Sequence, residues 1–399
     1  MDTDIVIVGA GPAGLCLARA LTGQRLTITV VEAQEHAVLA APAFDGREIA
    51  LTHPSVELLK TLDVWPRIEE HAKSPLRVAR VFDGSSPRAM EIGRGADVTA
   101  PLGWLTSNHL IRRAAYEAVQ VAADASGEIT LLSGSQVCAI DTDAAAARVM
   151  LVDGTQLRAR LVIAADSRFS LCRRMMGIAA DQHDFGKTML VCCMEHSKSH
   201  DHAAWEWFGY GQTLALLPMN PAPGSNASRS SVVITLPSQG SEALAQLAPD
   251  DFEQDVTRRF AGRLGPMRLV SSRHCYPLVS VQPRQLVAER FALAGDAALG
   301  MHPVTAHGFN FGLFGVATLS RTISAAHRQG HDIAGRALLH DYASAYRRHT
   351  QPLYWATRLI TDLYTRDTAP ARLARRALLR LGCELTPFKR ALAASLTGR

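Results

Sequence analysis

The chain offers no metal or redox pair of cysteines. Its seven cysteines, Cys16, Cys138, Cys172, Cys192, Cys193, Cys275 and Cys383, are odd in number and scattered, with no Cys-x-x-Cys. That argues against a disulfide framework or a zinc ribbon and points to a reducing compartment. No uninterrupted apolar run reaches the roughly 18 to 20 residues of a membrane span. Met1 to Val8 enters a strand pattern directly, without a cationic segment or cleavage site, so a cytoplasmic protein is expected, peripheral at most on the inner membrane. Internal repeats are absent, and the one biased stretch is an alanine-rich turn at 144–147.

What is present is ordinary for a folded protein: 47% hydrophobic, 20% charged and 6% aromatic residues over 399 positions, enough for two lobes. The net charge of +5 is concentrated at one end. Residues 371–399 carry seven cations, Arg372, Arg375, Arg376, Arg380, Lys389, Arg390 and Arg399, against Glu384, which leaves the remainder near neutral. Nothing in that balance suggests nucleic acid.

Asp4–Val8, Pro12–Leu21 and Leu26–Val31 read as strand, helix and strand, a βαβ unit that requires a parallel sheet. Helices are expected at 52–72 and 108–123, and short strands at 136–140, 148–151 and 161–164. From about 185 to 280, strand-like runs separated by Pro, Gly, Asn and Ser predict an inserted, mainly antiparallel sheet. A buried strand follows at 291–294, a long helix opens at Gly308, and 335–399 reads as helical with a break at Pro387.

Three motifs carry chemistry. Gly9-Ala10-Gly11-Pro12-Ala13-Gly14 lies between the first strand and helix. Gly9 permits the turn, Gly11 lets backbone approach a pyrophosphate, and Gly14 lets helix pack on sheet, while Glu32 closes the second strand where an acid meets a ribose hydroxyl. The cradle alone does not separate NAD from FAD. Ala165-Asp166-Ser167-Arg168-Phe169-Ser170, then Arg173, forms the second motif. In the third, a buried strand delivers Gly295-Asp296, followed by Pro303 and Gly308-Phe309-Asn310 at a helix start. Asp296 suits a polyol chain, and the helix amides suit a negative ring edge.

In this order and spacing the motifs resemble the class A flavoprotein monooxygenases of the para-hydroxybenzoate hydroxylase type, from residue 1 to about 330. The second motif departs from that family's Ala-Asp-Gly pattern, with Ser167 in place of glycine. Gly46-Arg47-Glu48-Ile49-Ala50-Leu51 and Trp104–Leu110 look like the ubiquinone-biosynthesis hydroxylases, which typically bring an arginine of Arg-x-x-Ala-Leu towards FAD. Most of these have Gly-Gln-Gly where this chain has Ala306-His307-Gly308. The wording from Met301 to Asn310 looks most like the UbiM branch of the UbiH/UbiM type, the demethoxyubiquinol hydroxylases.

The resemblance implies an α/β fold: a Rossmann-like, GR2-type FAD-binding domain (1–75, 100–184 and 281–330), an inserted β-sheet substrate domain (76–99 and 185–280), and C-terminal helices (331–399). It implies non-covalently bound FAD held by Gly9, Gly11, Ala13, Gly14, Glu32, Arg47, Asn108, Val137, Asp166, Gly295, Asp296, Gly308, Phe309 and Asn310. NAD(P)H would reduce the flavin without a second nucleotide domain, and O₂ would form a flavin C4a-hydroperoxide that oxygenates an electron-rich ring. Pro303 would border that reaction. His302 and His307 are candidate bases, or simply order the loop, and a quinol needs no base.

The substrate implied is a polyprenylated quinol or phenol on the path to ubiquinone. A soluble phenol or benzoate hydroxylase, or a non-catalytic flavin- or quinone-binding member of a biosynthetic assembly, remain alternatives. Glu195, His196, His200, Asp201 and His202 have no standard metal spacing and read as a solvated loop, so no metal is expected. Alternation sets Trp205 and Trp207 on one sheet face and Phe208 on the other, covering substrate or packing the sheet. Along 371–381, Arg372, Arg375, Arg376 and Arg380 share one helical arc opposite Leu373, Leu378 and Leu381. Such a helix lies on an anionic membrane or packs on the domain with its cations solvated.

Overall fold

The computed structural model describes residues 2–84, 89–93, 100–209, 211–302 and 307–365, with side chains to residue 359. In chain order the elements begin β1 (Thr3–Val8), α1 (Pro12–Leu21), β2 (Ile28–Val31), α2 (His36–Ala40), β3 (Glu48–Leu51), α3 (His53–Thr61), β4 (Ser74–Leu76), β5 (Val78–Asp83), β6 (Met90–Ile92), β7 (Gly103–Ser107) and α4 (Asn108–Ser126). There follow β8 (Ile129–Leu132), β9 (Val137–Thr142), β10 (Ala147–Leu151), β11 (Gln156–Ala164), α5 (Leu171–Met175), β12 (Ala180–His196), β13 (Ala203–Phe208), β14 (Thr213–Met219) and β15 (Ser228–Pro237). The last are α6 (Ser238–Gln246), α7 (Pro249–Arg259), β16 (Met267–Leu269), β17 (His274–Pro283), β18 (Val287–Ala288), β19 (Phe291–Leu293), α8 (Gly308–Arg328) and α9 (Arg336–Thr365).

The first sheet runs β18-β19-β11-β1-β2-β8, with β10 and β9 added beside β11. From β19 through β8 every pairing is parallel. Such strands are covered on both faces, and β2 is buried at all four positions for that reason. The core here joins Ile5, Ile7, Leu15, Leu17, Ile163, Phe291 and Leu319, with α1 packed against α4 and α8.

The second sheet runs β16-β12-β15-β14-β13-β5-β6, with β17 also on β12. It is antiparallel apart from β13 beside β5. Successive side chains alternate between its faces. Leu190, Cys192, Trp205, Trp207, Leu214, Leu216, Val232 and Ile234 point one way into a second core with Phe252, Val256 and Phe260 of α7. A small third sheet, β3-β7-β4, packs against β14 of the second sheet and against helices α4 and α8.

Two expectations change. The helix over 52–72 stops at Thr61, because Asp63 takes a left-handed φ of +59° and Pro66 cannot extend the hydrogen-bond ladder; two 3₁₀ turns follow. The block at 185–280 contains α6 and α7 as well as strands. The second starts on Pro249 with Asp250 and Asp251 in its first turn and ends on Arg258 and Arg259, the charge order that suits a helix dipole. At the C-terminus α9 runs to Thr365 with Pro352 inside it; Pro387 and the basic stretch 371–399 lie outside the described residues.

Candidate functional site

The strands flanking β1 lead away in opposite directions, β2 to one side and β11 to the other, which opens a crevice at their carboxyl ends. A cavity of about 570 Å³ starts there and extends to the exposed face of the second sheet.

At the cradle, Gly9 has φ +106°, and a Cβ on it would lie 2.5 Å from the carbonyl oxygen of Ala165. A Cβ on Gly14 would drive into the carbonyl oxygen of Gly9, so this glycine sets how closely α1 packs. Gly11 meets nothing within 4 Å and lines the cavity, and no side chain caps α1. Glu32 accepts hydrogen bonds from the N–H groups of Ala10 (2.7 Å) and Gln34 (2.9 Å), fixing the turn while lining the cavity.

The opposite wall begins at Gly295, whose φ of +60° carries the chain against Ala13. Asp296 pairs with Arg168 at 3.3 Å. Gly308, Phe309 and Gly312 of α8 line the cavity. Asn310 faces away from it: its side chain accepts from the Thr52 N–H (3.0 Å) and donates to the Ala50 carbonyl (2.8 Å), which anchors the start of α8 to β3.

Arg47 and Asn108 converge on Asp45, with contacts of 2.6 Å from Arg47 Nη2 and 2.7 Å from Asn108 Nδ2. Burial pushes the Asp45 carboxyl up, but Arg47 and these hydrogen bonds outweigh it and hold it below the usual range. Asp166 Oδ2 accepts from the Cys172 N–H (3.2 Å), whereas its buried Oδ1 has no hydrogen-bond partner among the described residues. Ser167 stands at φ +156°, a conformation non-glycine residues seldom adopt.

The far wall is the second sheet's open face, with Lys187, Met189, Val191, Glu206, Phe208, Thr213, Ala215, Leu217, Val233 and Thr235. Two carboxyls in the cavity are displaced by burial. Glu206 is pushed up to about 8. Glu48 rises to about 7 through burial, although the hydroxyl hydrogen bond from Ser107 and the charge of Arg229 act against it. His302 also lines the cavity, edge-on to Phe185 at 4.7 Å, and burial, then Lys187 and Arg168, lower it to about 4. His307 is buried beside Phe311 outside the cavity lining.

Of the residues expected at the cofactor, Gly9, Gly11, Ala13, Glu32, Arg47, Asn108, Asp166, Gly295, Asp296, Gly308 and Phe309 line this one cavity. Gly14 and Asn310 shape it from behind. Val137 instead lies in the core of the first sheet, because β9 presents it inward. Pro303 lies outside the described residues.

Trp205 and Trp207 pack into the second core rather than over the cavity, while Phe208 lines it. The expected solvated loop at 195–202 is corrected in part. His196 and His200 are buried and partnered: His196 Nδ1 donates to the Lys198 carbonyl (2.7 Å), and His200 Nε2 donates to that of Met219 (3.1 Å). Among the described residues, no group of three or more His, Cys, Asp or Glu is arranged to hold a metal ion.

Sequence reading passed over Glu206, although a lone acid between two tryptophans in alternating order was its signal. The open Gly11, the uncapped α1 and the orphaned Asp166 oxygen fit a bound dinucleotide.

A parallel sheet carrying this cradle, joined to an antiparallel sheet across one cavity, defines a flavoprotein of the para-hydroxybenzoate hydroxylase fold. The chain belongs to the FAD binding domain family, whose match spans residues 2–355, and its cofactor is FAD. It is 43% identical over 405 residues to the ubiquinone hydroxylase UbiM of Neisseria meningitidis, covering 100% of this chain and 85% of that one. It is 34% identical to the ubiquinone hydroxylase UbiL of Rhodospirillum rubrum, over 97% of this chain and 87% of the other. In fold it is similar to p-nitrophenol 4-monooxygenase PnpA of Pseudomonas putida, with a TM-score of 0.76 at 18% identity, covering 100% and 98% of the two chains.

Proposed function

We propose that this protein is an FAD-dependent monooxygenase that hydroxylates the ring of a ubiquinone-biosynthesis intermediate, a polyprenylated quinol or phenol. One observation carries the reading: a single cavity joins the dinucleotide cradle to an apolar sheet face. The identity to ubiquinone hydroxylases over the whole chain supports the substrate class. Bound FAD supplies the oxygen-transfer chemistry, with NAD(P)H as electron donor and O₂ as oxygen source.

The chain's own residues bind, orient and exclude water. The amides at the start of α1 receive the pyrophosphate, Glu32 the ribose and Asp296 the polyol chain, while the dipole of α8 favours negative charge at its N-terminus. His302 is neutral at neutral pH and a weak base, which suits a ring already rich in electrons. Among the described residues no helix is long and apolar enough to cross a membrane. Access to a lipid-borne substrate is assigned to the basic stretch 371–399 on an anionic surface, alone or within a biosynthetic assembly.

The test is direct. Purified protein carries FAD, and a demethoxyquinone analogue stimulates NAD(P)H oxidation and appears as oxygenated product. NAD(P)H oxidation that yields only hydrogen peroxide with every quinol tried would reject the reading. Quinone profiling of a deletion strain then identifies the ring carbon.

A further inference from the structure

The cavity's sheet wall is apolar except at particular places, and strand register fixes them. Glu206 stands opposite Ala215, Ala215 opposite Val233, and Val233 opposite Val191, forming one row across four strands. With neighbouring strands ~4.8 Å apart, the row spans ~14 Å, long enough to lay an aromatic ring along it. At one end of that row is a carboxyl. The backbone of β13 is paired on both sides, with β14 and with β5, so its amides and carbonyls are committed to the ladder. Side-chain recognition at this end therefore falls to Glu206, the one ionisable group of the row, with Thr213 diagonal to it on β14.

That side chain makes no hydrogen bond or ion pair with the described residues, and desolvation alone displaces its proton affinity. A carboxyl held without partners in an apolar wall costs stability unless a ligand satisfies it. Protonated, it offers one donor and one acceptor, the pair that matches a ring hydroxyl or a quinone carbonyl. No charge from the described residues shifts Glu206, so a ring carboxylate set directly against it would find no compensating cation there, the cavity's Arg47, Arg168 and Lys187 standing elsewhere in the lining.

Resting on the hydroxylase reading above, we infer that Glu206 binds the ring oxygen of the substrate, so that the cavity selects neutral hydroxy-aromatic rings over rings that carry a carboxylate. Glu206 is thus a substrate-binding residue, and the row Ala215–Val233–Val191 is the bed on which the ring lies.

The test uses the FAD-loaded protein and the variants Glu206→Gln and Glu206→Leu, with FAD content checked from the flavin absorbance. Binding of a water-soluble 1,4-benzoquinone and of a neutral methoxyphenol is read from perturbation of the flavin spectrum, independently of turnover. The leucine variant should raise Kd roughly tenfold or more for both ligands, as expected when a buried polar partner is removed. The glutamine variant should stay within a few-fold of the parent. In the parent, quinone binding should weaken as pH rises through about 8, where the carboxyl loses its donor proton, and in Glu206→Gln it should not. A merely structural role would leave that pH profile unmoved. A hydroxybenzoate should bind more weakly than the methoxyphenol.

Unchanged Kd in Glu206→Leu with intact FAD, or preferred binding of the hydroxybenzoate, overturns the assignment. If parent protein hydroxylates a quinol but the leucine variant binds it equally well, the assignment alone fails. If no quinol is hydroxylated yet phenol binding still depends on Glu206, the ubiquinone reading alone fails.

Discussion

Gly14 has a role that its surroundings define narrowly. It sits on α1 with no room for a methyl group before the Gly9 carbonyl, so any side chain must push helix and cradle apart. Gly14→Ala should cost about 1–3 kcal/mol through this overpacking. Because the displaced backbone is the cradle itself, FAD retention through gel filtration should fall along with the melting temperature. A variant that keeps full flavin would contradict this account.

The two displaced carboxyls give a second prediction for single residues. Glu206 titrates near 8 and Glu48 near 7 in the folded protein, against an ordinary 4.5. Between those values the folded chain keeps protons that the unfolded chain has released. Stability contributed by these groups is therefore complete below about pH 4.5 and declines as pH rises towards 8. Glu206→Gln should flatten that decline in melting temperature between pH 5 and pH 8, at equal FAD saturation, with its largest gain at the alkaline end. A parallel shift of the two curves would contradict it.

For whole elements, the second sheet separates stability from binding by parity. Ile234 is fully buried in the core against α7, whereas Val233, its neighbour in β15, lines the cavity. Ile234→Ala should cost about 2–5 kcal/mol in chemical denaturation, and Val233→Ala only about 1 kcal/mol. The order of effects on quinone affinity should be the reverse.

Elements were legible where the chain repeats a simple period. Helix α1 falls at Pro12–Leu21 as the pattern predicts, and β1 and β2 form the parallel pair that a βαβ unit requires. Helices α6 and α7 were missed because neither carries a long apolar run: α6 shows no charge order at its ends, and the signal of α7 lies only in Pro249 and the order of its acids and arginines. At the site, motif spacing points to Gly9, Gly11, Gly14 and Glu32, whereas Arg47, Asn108 and Asp166 are expected only through the family resemblance. The displacement of Glu206 could not be read, since it depends on which sheet face meets the cavity, and that follows from packing of the other face.

For the whole molecule, charge and cavity make separate demands. The described body holds the flavin cradle and the sheet wall, while the excess positive charge lies in residues 371–399. Deleting 371–399 should weaken sedimentation with anionic liposomes and leave FAD content unchanged. The loss should be greatest at low ionic strength, since exposed cations are screened over about 10 Å at 0.1 M salt. Equal sedimentation of both proteins would assign the tail to packing alone.

The alternation along β12, β14 and β15 also sets how this protein can diversify. Positions such as Met189, Ala215 and Val233 can vary with substrate, because each change alters the cavity and leaves the opposite core intact. Single-residue insertions are another matter: one extra residue in β14 would exchange Leu216 with its cavity-facing neighbours and spoil both faces together. New specificities in this lineage should therefore arise by substitution at every second residue of these strands. Changes of length should be confined to the loops between them.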